Sequence, residues 1–216
     1  MMRTANVKPR KKPAGRFHHG DLAEQLVLVA IELVEKKGHQ AFSMKQLATR
    51  LGVTEPAIYR HFEGRDALLA EVALRGFLAF VAALQADNEL AVDAFDSVRR
   101  YGRAYVRFCV AHPGWFRLQF SRAWTEELAT RPDVAERLAR AGEIRMALLE
   151  RWKGALPPGE EHRVADLYRL AWGTVHGLAG FVVERVFQLV QTDEERIAAA
   201  DDAIELLVES LQARAV

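Results

Sequence analysis

Cysteine is almost absent from this chain of 216 residues, since Cys109 is the one residue of its kind. A single thiol cannot form an intramolecular disulfide, and no His/Cys cluster lies near it in the sequence to complete a zinc site. We therefore interpret Cys109 as a buried small hydrophobic side chain. The alternative, a redox-sensing thiol, would need exposure and a nearby cation, for which the sequence carries no signal.

Long apolar runs and catalytic signatures are also missing. No apolar run approaches the roughly 20 residues that span a bilayer, and no apolar segment of the secretory kind follows the N-terminal charges. We therefore expect a cytoplasmic protein without a membrane partner. The Walker A phosphate loop, the HExxH zinc motif and the GxSxG nucleophile elbow do not occur in the sequence. These absences argue against an enzyme, and we expect no metal or other cofactor.

Acidic residues are absent from residues 1–20, which hold six Lys/Arg and two prolines. With almost nothing apolar to pack, residues 1–19 are predicted to form a flexible basic arm. Up to Asp66 the chain carries twelve Lys/Arg against seven Asp/Glu, whereas the rest carries 18 against 22. A basic N-terminal third indicates contact with a polyanion such as double-stranded DNA, and the alternative is a solvated tail without a partner.

The stretch after the arm predicts a first amphipathic helix. Asp21 and Glu24 can cap its start, and Gly38 can end it in a left-handed conformation. Its apolar residues recur at the spacing of one helix face, which predicts one buried stripe. These residues are Leu22, Leu26, Val29, Ala30, Leu33 and Val34.

A second, much shorter helix follows. Ser43 and Gln46 have the spacing of a capping box, so this helix is predicted to start at Met44 and to stop at Gly52. Its predicted buried residues are Met44, Leu47, Ala48 and Leu51. A helix of barely two turns is marginal in water, so it must be held by packing on the first helix.

A third helix is predicted directly after the turn at Gly52. Thr54 can cap its start, and Pro56 fits its first turn, where the missing N–H is harmless. This helix is predicted to run to about Phe62, with Ile58 and Phe62 buried. Three small helices that share one core form a helix-turn-helix domain, in which the third helix stands out and enters the major groove of B-DNA.

Several residues around the third helix are suited to contacts with DNA phosphates. They are Ser43, Tyr59, His61 and Arg65. The arm adds basic residues that can lie along phosphates or in a narrow minor groove. They include Lys8, Arg10, Lys11, Lys12 and Arg16. We expect the arm to supply affinity that does not depend on sequence.

Two stretches of the chain resemble the DNA-binding domain of the TetR/AcrR family of bacterial transcription regulators. They are RFHHGDL at 16–22 and AFSMKQLATRLGVTEPAIYRHFEGRDALL at 41–69. Two later stretches are similar to a C-terminal domain class of that family with a Trp-x-x-x-His-Gly signature. They are YVRFCVAHPGWFRLQF at 105–120 and RLAWGTVHGLAGF at 169–181.

The resemblance implies the same phosphate contacts, with Arg65 in place of the family's common lysine. It also implies that the exposed start and middle of the third helix read the bases. These positions are Thr54, Glu55, Pro56, Ala57 and Arg60. Glu55 can accept a hydrogen bond from a cytosine amino group or can only favour the helix dipole. Arg60 can contact a guanine or a phosphate.

Beyond Leu68 the sequence indicates one helix after another, without the period-two alternation of a sheet. The last two helices are predicted at about 160–190 and 193–212, and Thr192 with Glu195 forms a capping box before the second. In the family, the final helix pair makes the four-helix interface of a homodimer. A two-fold dimer would present two recognition helices to two half-sites of DNA.

The resemblance also implies an effector pocket between the middle helices, and an apolar pocket would suit a small apolar or aromatic molecule. The candidate ligand-binding residues are Phe108, Trp115, Phe116, Phe120, Trp172 and His176. Trp172 and His176 share one helix face, which Gly173, Gly177 and Gly180 make thin. His176 can be a hydrogen-bond partner in the pocket, or both residues can be core residues at a tight helix crossing.

The predicted fold is therefore all-α. It consists of the arm, a helix-turn-helix DNA-binding domain at 20–66, and a helical effector-binding and dimerisation bundle at 67–216. The expected function is a DNA-binding transcriptional regulator, in particular a ligand-responsive repressor that binds a palindromic operator as a homodimer. The alternatives are a DNA-binding activator or architectural protein without an effector and, more remotely, a helical-bundle enzyme or carrier.

Overall fold

The computed structural model describes residues 19–121, 132–186 and 192–215, and these ranges contain helices and no strand. The all-α prediction is thereby confirmed. The helices are α1 (His19–Lys37), α2 (Met44–Leu51), α3 (Glu55–Tyr59), α4 (Arg65–Asn88), α5 (Ala94–Ala111), α6 (Pro113–Gln119), α7 (Pro132–Trp152), α8 (Val164–Val183) and α9 (Asp193–Ala215). Two 3-10 turns, Lys153–Ala155 and Glu161–Arg163, connect α7 to α8.

The first two helices follow the capping signals. α1 begins at His19, two residues before the predicted start, and Gly38 follows its last turn with φ of +77°. At α2 the Gln46 backbone N–H donates to Ser43 Oγ at 3.3 Å, and Gly52 adopts φ of +68° in the left-handed region. The predicted bounds of α2 are confirmed, because both of its ends are fixed by residues inside the segment.

α3 is shorter than predicted. It ends at Tyr59 rather than at Phe62, because the chain tightens into a turn in which the His61 and Phe62 amides both donate to the Ile58 carbonyl. Thr54 occupies the N-cap position with extended backbone, but its side chain makes no capping hydrogen bond, so that part of the prediction is wrong. One helical turn is too short to persist alone, and the buried Ile58 side chain holds it against the neighbouring helices.

The first hydrophobic core joins α1 to α4 and also receives α6. Leu26, Leu47, Ile58 and Leu68 are fully buried in it, and Leu118 of α6 completes it from the far side. α6 thus belongs to the helix-turn-helix core, although it lies about fifty residues further along the chain. The position of this short helix is therefore tied to the position of the first three helices.

α4 runs through the predicted domain boundary at 66 without a break. Its N-terminal half packs in the first core through residues such as Leu69 and Val72, and its C-terminal half packs in the second core through Phe80 and Leu84. By length and composition α4 is apolar enough to cross a membrane, contrary to the expectation from the sequence. Contact with both cores accounts for its apolar composition, since such a helix has little surface left for polar residues.

The second core surrounds α5, which packs against α4, α7, α8 and α9. Tyr105 and Trp152 are fully buried in it, and the Trp152 Nε1 donates to Ser97 Oγ at 2.9 Å. The close approach of α5 to α8 and α9 occurs at Gly102, where an added Cβ would lie 3.1 Å from both Val175 and Ile204. Trp124, another aromatic residue of this half of the sequence, lies outside the described residues.

The last two helices differ from the prediction in length. α8 ends at Val183 rather than near residue 190, and Arg185 just after it has φ of 54°. Residues 187–191 lie outside the described ranges. The capping box before α9 is confirmed, because the Thr192 N–H donates to Glu195 Oε2 at 3.0 Å and the Glu195 N–H donates to Thr192 Oγ1 at 3.1 Å.

Candidate DNA-binding surface and ligand cavity

α3 presents polar side chains on its outer side. Ile58 faces the core, while Tyr59 is 51% exposed and Arg60 is exposed beside it. The Arg60 guanidinium makes no hydrogen bond or ion pair with any of the described residues. A guanidinium group with no internal partner at the end of a protruding helix is free to bond to a base edge or a phosphate.

The other positions predicted to read bases lie at the start of the same helix. Thr54 and Pro56 are exposed, whereas Glu55 and Ala57 are half-buried. Glu55 is the acidic residue in the first turn of α3, where it favours the helix dipole. This placement is compatible with both interpretations of Glu55, and base contact by these four residues stays a prediction.

α2 contributes candidate contacts to phosphate on the side next to α3. The Ser43 oxygen accepts the capping hydrogen bond from Gln46, which leaves the hydroxyl proton available for a phosphate oxygen. His61 is half-buried after α3. Lys45, which sequence reasoning missed, is exposed in the first turn of α2. Its position two residues after the N-cap was the available signal, since phosphates bind near helix N-termini.

Arg65 is engaged within the protein. Its guanidinium group donates to the Phe42 carbonyl at 3.2 Å, to the His39 carbonyl at 2.6 Å and to Asp66 Oδ1 at 2.9 Å. Every nitrogen of this side chain therefore has a protein partner, and Arg65 links the start of α4 to the loop between α1 and α2. Its phosphate contact stays a prediction, and the side chain has a structural role as well.

The predicted contacts of the arm, namely Lys11, Lys12 and Arg16 together with Lys8 and Arg10, lie outside the described residues. They stay predictions from the sequence.

A cavity of about 750 Å³ opens in the helical body between α4, α5, α6, α7 and α8. Its walls are mainly apolar and include Phe77, Phe80, Leu84 and Leu148. Of the six residues predicted to bind a ligand, Phe120 and Trp172 line this cavity. The contribution of α7 to the cavity was not predicted, because an amphipathic helix does not reveal which neighbours its apolar side will face.

The other four predicted residues pack beside the cavity in two aromatic groups. The rings of Phe108 and Trp115 are stacked at 6.1 Å between centroids. The rings of Phe116 and Phe120 lie 5.3 Å and 4.2 Å from the imidazole of His176. Phe120 lines the cavity, whereas Phe116 and His176 of the same aromatic group do not.

His176 is a hydrogen-bonded member of this packing. Its Nδ1 lies 3.0 Å from the Tyr105 hydroxyl. Burial lowers the pKa of His176 and raises the pKa of Tyr105, so both side chains are neutral near pH 7. Trp172 stacks on the imidazole at 5.6 Å between centroids. His176 is therefore packed among other side chains, as in the core alternative, whereas Trp172 lines the cavity, as in the pocket alternative.

The glycines of α8 do not serve a helix crossing within the described part of one chain. An added Cβ at Gly173 or Gly177 would meet no atom within 4 Å, and at Gly180 it would meet Phe116 at 3.9 Å. Large apolar side chains are exposed nearby, among them Leu170, Phe181 and, at 66%, Leu206 of α9. We call these exposed apolar side chains and the open glycines Gly173 and Gly177 together the α8/α9 surface.

Cys109 is buried in the second core, and its burial raises the pKa of the thiol to about 12. We expect the native protein to react with a thiol reagent such as DTNB much more slowly than the urea-unfolded protein, because the thiolate is the reactive form. Absorbance of the released thiolate measures the two rates. Rapid native reaction would support the redox-sensing alternative.

Two polar contacts connect the first core to the walls of the cavity. The Glu35 carboxylate of α1 accepts hydrogen bonds from the Gly114 and Trp115 amides at the start of α6, at 2.9 and 3.1 Å. On α4, the buried Glu71 binds Arg75 of its own helix at 3.0 Å and Arg137 of α7 at 2.7 Å. Arg75 in turn binds both oxygens of Glu24 on α1.

Glu71 thereby completes a chain of ion pairs from α7 to α1, which we call the Glu71 network. Hydrogen bonds between Arg75 and Glu24 raise the pKa of Arg75 and lower that of Glu24, so both groups stay charged over the physiological range. The adjacent residue Leu138 of α7 lines the cavity. The Glu71 network therefore connects α7 to α1 through ion pairs.

The chain is similar to known proteins over both regions. It is 27% identical to the transcriptional activator FasR of Mycolicibacterium smegmatis over 146 residues, which are 65% of each chain. The match thus spans less than two thirds of that relative. A structure of a protein with unknown function from Rhodococcus sp. RHA1 has a TM-score of 0.65 at 29% identity and covers 94% of this chain and all of its own.

A structure of TetR from Acinetobacter baumannii AYE in complex with minocycline is similar in fold, with a TM-score of 0.61 at 19% identity, and covers 93% of this chain and all of its own. Residues 26–72 match the family model for bacterial regulatory proteins of the tetR family. Residues 98–213, more than half of the chain, match the model for the tetracyclin repressor-like C-terminal domain. The chain belongs to the TetR family of bacterial regulatory proteins.

Proposed function

We propose that the protein is a DNA-binding transcriptional regulator that binds a palindromic operator as a homodimer and is released by a small ligand. The observation that carries the proposal is the exposed end of α3, where Tyr59 and Arg60 project from a helix anchored by Ile58. Placed in the major groove, α3 would bring Arg60 to base edges. Ser43, Lys45 and His61 would lie toward the flanking phosphates.

The α8/α9 surface is the proposed dimer interface. Its exposed side chains Leu170, Phe181 and Leu206 would lose contact with water, and Gly173 and Gly177 would allow the backbone of a second copy to approach closely. An isologous interface of this kind gives a two-fold axis, which matches the two-fold symmetry of a palindrome.

The cavity is the proposed ligand site, and α4, α6 and α7 are its proposed connections to α1. α6 lines the cavity through Gln119 and Phe120 and packs in the first core through Leu118. A ligand that binds better when these helices shift would favour a different separation of the two recognition helices, and operator affinity would fall. The apolar walls favour an apolar or aromatic effector.

The test of the proposed function is selection of genomic DNA fragments by the purified protein at about physiological salt, followed by sequencing. Enrichment of one palindromic motif is expected. Recovery of arbitrary fragments that wash off with modest salt would contradict the proposal, since it would leave only contacts with the phosphate backbone.

Arg60→Ala should weaken binding to the selected operator by at least about fivefold, because one bidentate contact to a base contributes roughly 1–3 kcal/mol of discrimination. Fluorescence anisotropy with labelled operator and with scrambled DNA measures the effect. The matched control is Arg140→Ala, which removes the same charge from an exposed position on α7. If both variants lose affinity equally, Arg60 contributes only through net charge.

Activation of transcription is the second candidate, and the name of the FasR relative favours it. The same DNA contacts serve either outcome. Expression of a reporter gene from the selected operator, with and without the protein, decides between them, since a repressor lowers expression and an activator raises it.

A further inference from the structure

One end of the cavity holds a buried amide that no described residue pairs with. Gln119 at the end of α6 is 8% exposed and lines the cavity. Its Nε2 is buried and has no hydrogen-bond partner among the described residues. A buried donor left unpaired costs free energy, whereas a ligand oxygen in the cavity would satisfy it.

Positive charge lies along α7 toward the other end of the cavity, where Arg151 follows Arg145 by six residues, about 9 Å along the helix axis. Arg145 and Arg151 of α7 line the cavity, and neither has an acidic partner among the described residues. Arg151 donates through one nitrogen to the carbonyls of Asn88 and Ala91 at 3.2 and 3.1 Å, while Arg145 makes no hydrogen bond there. Glu89, the one acidic residue in the lining, accepts instead from Gln85 at 2.7 Å.

The two ends are separated by the length of half of α4. α6 crosses α4 at Gly76, where an added Cβ would lie 2.7 Å from the Trp115 ring, and Gln119 follows Trp115 by about one turn. Arg151 is bonded to the carbonyl of Asn88. The twelve residues from Gly76 to Asn88 correspond to about 18 Å along the helix axis. The lining between the ends is largely apolar, as at Phe80 and Leu84.

We propose that this cavity binds an elongated apolar molecule with a hydrogen-bond acceptor at one end, received by Gln119, and an anionic group at the other, received by Arg145 and Arg151. The proposal rests on the proposed function, in which the cavity is the ligand site. The Gln119 amide would donate to a hydroxyl or carbonyl oxygen. The guanidinium groups would bind the anion with charge-assisted hydrogen bonds, which are stronger than neutral ones.

Titration calorimetry of the full chain without DNA tests this with three probes. These are ω-hydroxyhexadecanoate, hexadecanoate, and the methyl ester of the ω-hydroxy acid. We expect the ω-hydroxy acid to bind at least about fivefold tighter than hexadecanoate, since its hydroxyl pairs with Gln119, and at least about tenfold tighter than the ester, which lacks the charge.

Two variants assign the two preferences. Gln119→Leu should abolish the preference for the hydroxyl and keep the preference for the carboxylate, while the double change Arg145→Gln with Arg151→Gln should do the reverse. Arg140→Gln on the outer side of α7 is the control and should change neither.

Equal affinities for the three probes would overturn the inference, as would tighter binding of hexadecanoate than of the ω-hydroxy acid. Failure of all three probes to bind would also overturn it. In that case, enrichment of a palindrome in the DNA selection would still support the regulator, so failure of the ligand class is distinguishable from failure of the proposed function.

Discussion

Replacing Gly114 by alanine should lower the free energy of unfolding by at least about 3 kcal/mol. An added Cβ there would lie 2.6 Å from both the Glu35 Cα and the Val34 carbonyl oxygen of α1. Both are backbone atoms in the last turn of α1, which packs in the first core, so neither can move aside as a flexible side chain would. α6 must shift instead, and the shift would strain the hydrogen bonds from Gly114 and Trp115 to Glu35.

Urea denaturation followed by circular dichroism measures this effect. The matched control is Gly142→Ala in α7, where an added Cβ meets no atom within 4 Å. Because glycine in a helix interior is less favourable than alanine by roughly 0.5–1 kcal/mol, this control should be neutral or slightly stabilising. Similar stability of the two variants would show that α6 does not pack against α1 as described.

Glu71→Gln should lower the free energy of unfolding by about 2 kcal/mol, because it leaves Arg75 and Arg137 facing a neutral amide in a largely buried site. Glu71 is 8% exposed, while the two arginine side chains are about 30% exposed. Removal of one partner from a fully buried ion pair typically lowers the free energy of unfolding by more than this. The expected loss of unfolding free energy is smaller here, because both arginines are partly exposed and Arg75 keeps its ion pair with Glu24.

A double-mutant cycle with Arg137→Gln isolates the pair. The double variant should be less destabilised than the sum of the two single variants, since both single changes remove the same ion pair. Glu143→Gln, which affects an exposed pair with Arg140, is the control and should cost less than about 0.5 kcal/mol. Strict additivity in the cycle would mean that Glu71 and Arg137 do not interact.

The Glu71 network also has a consequence for DNA binding. If it transmits a shift of α7 to α1, the Arg137→Gln variant should bind the operator but respond less to a ligand of the cavity. Operator binding measured with and without the ω-hydroxy acid separates this loss of response from the loss of stability. An unchanged ligand response would assign the coupling to α6 and its contacts with Glu35 instead.

Local signals predicted the helices of the first third well. The bounds of α2 followed from Ser43, Gln46 and Gly52, all within the segment they delimit. The capping box of Thr192 and Glu195 located the start of α9 in the same way. The errors fell where local rules were weak, as at Thr54, whose side chain makes no cap bond, and after Val183, where α8 stopped early.

The candidate ligand site was only partly predictable. Trp172 and Phe120 face the cavity as expected, whereas Trp115 packs on Gly76 of α4. Aromatic residues suit both a core and a pocket, and periodicity gives the apolar side of a helix without its neighbour. Gln119 gave no distinct signal in the sequence, since the same short helix also contains the polar Arg117.

The sequence by itself determined the helix-turn-helix and the all-helical body, because caps, glycine turns and apolar periodicity act over three or four residues. The family was indicated by the resemblance of whole stretches such as residues 41–69. Only the tertiary structure decided that Arg65 bonds to the carbonyls of His39 and Phe42, that the Gln119 amide nitrogen has no partner among the described residues, and that Glu71 links α7 to α1. These contacts join residues more than twenty positions apart, and no local pattern encodes which side chains the packing of helices will bring together.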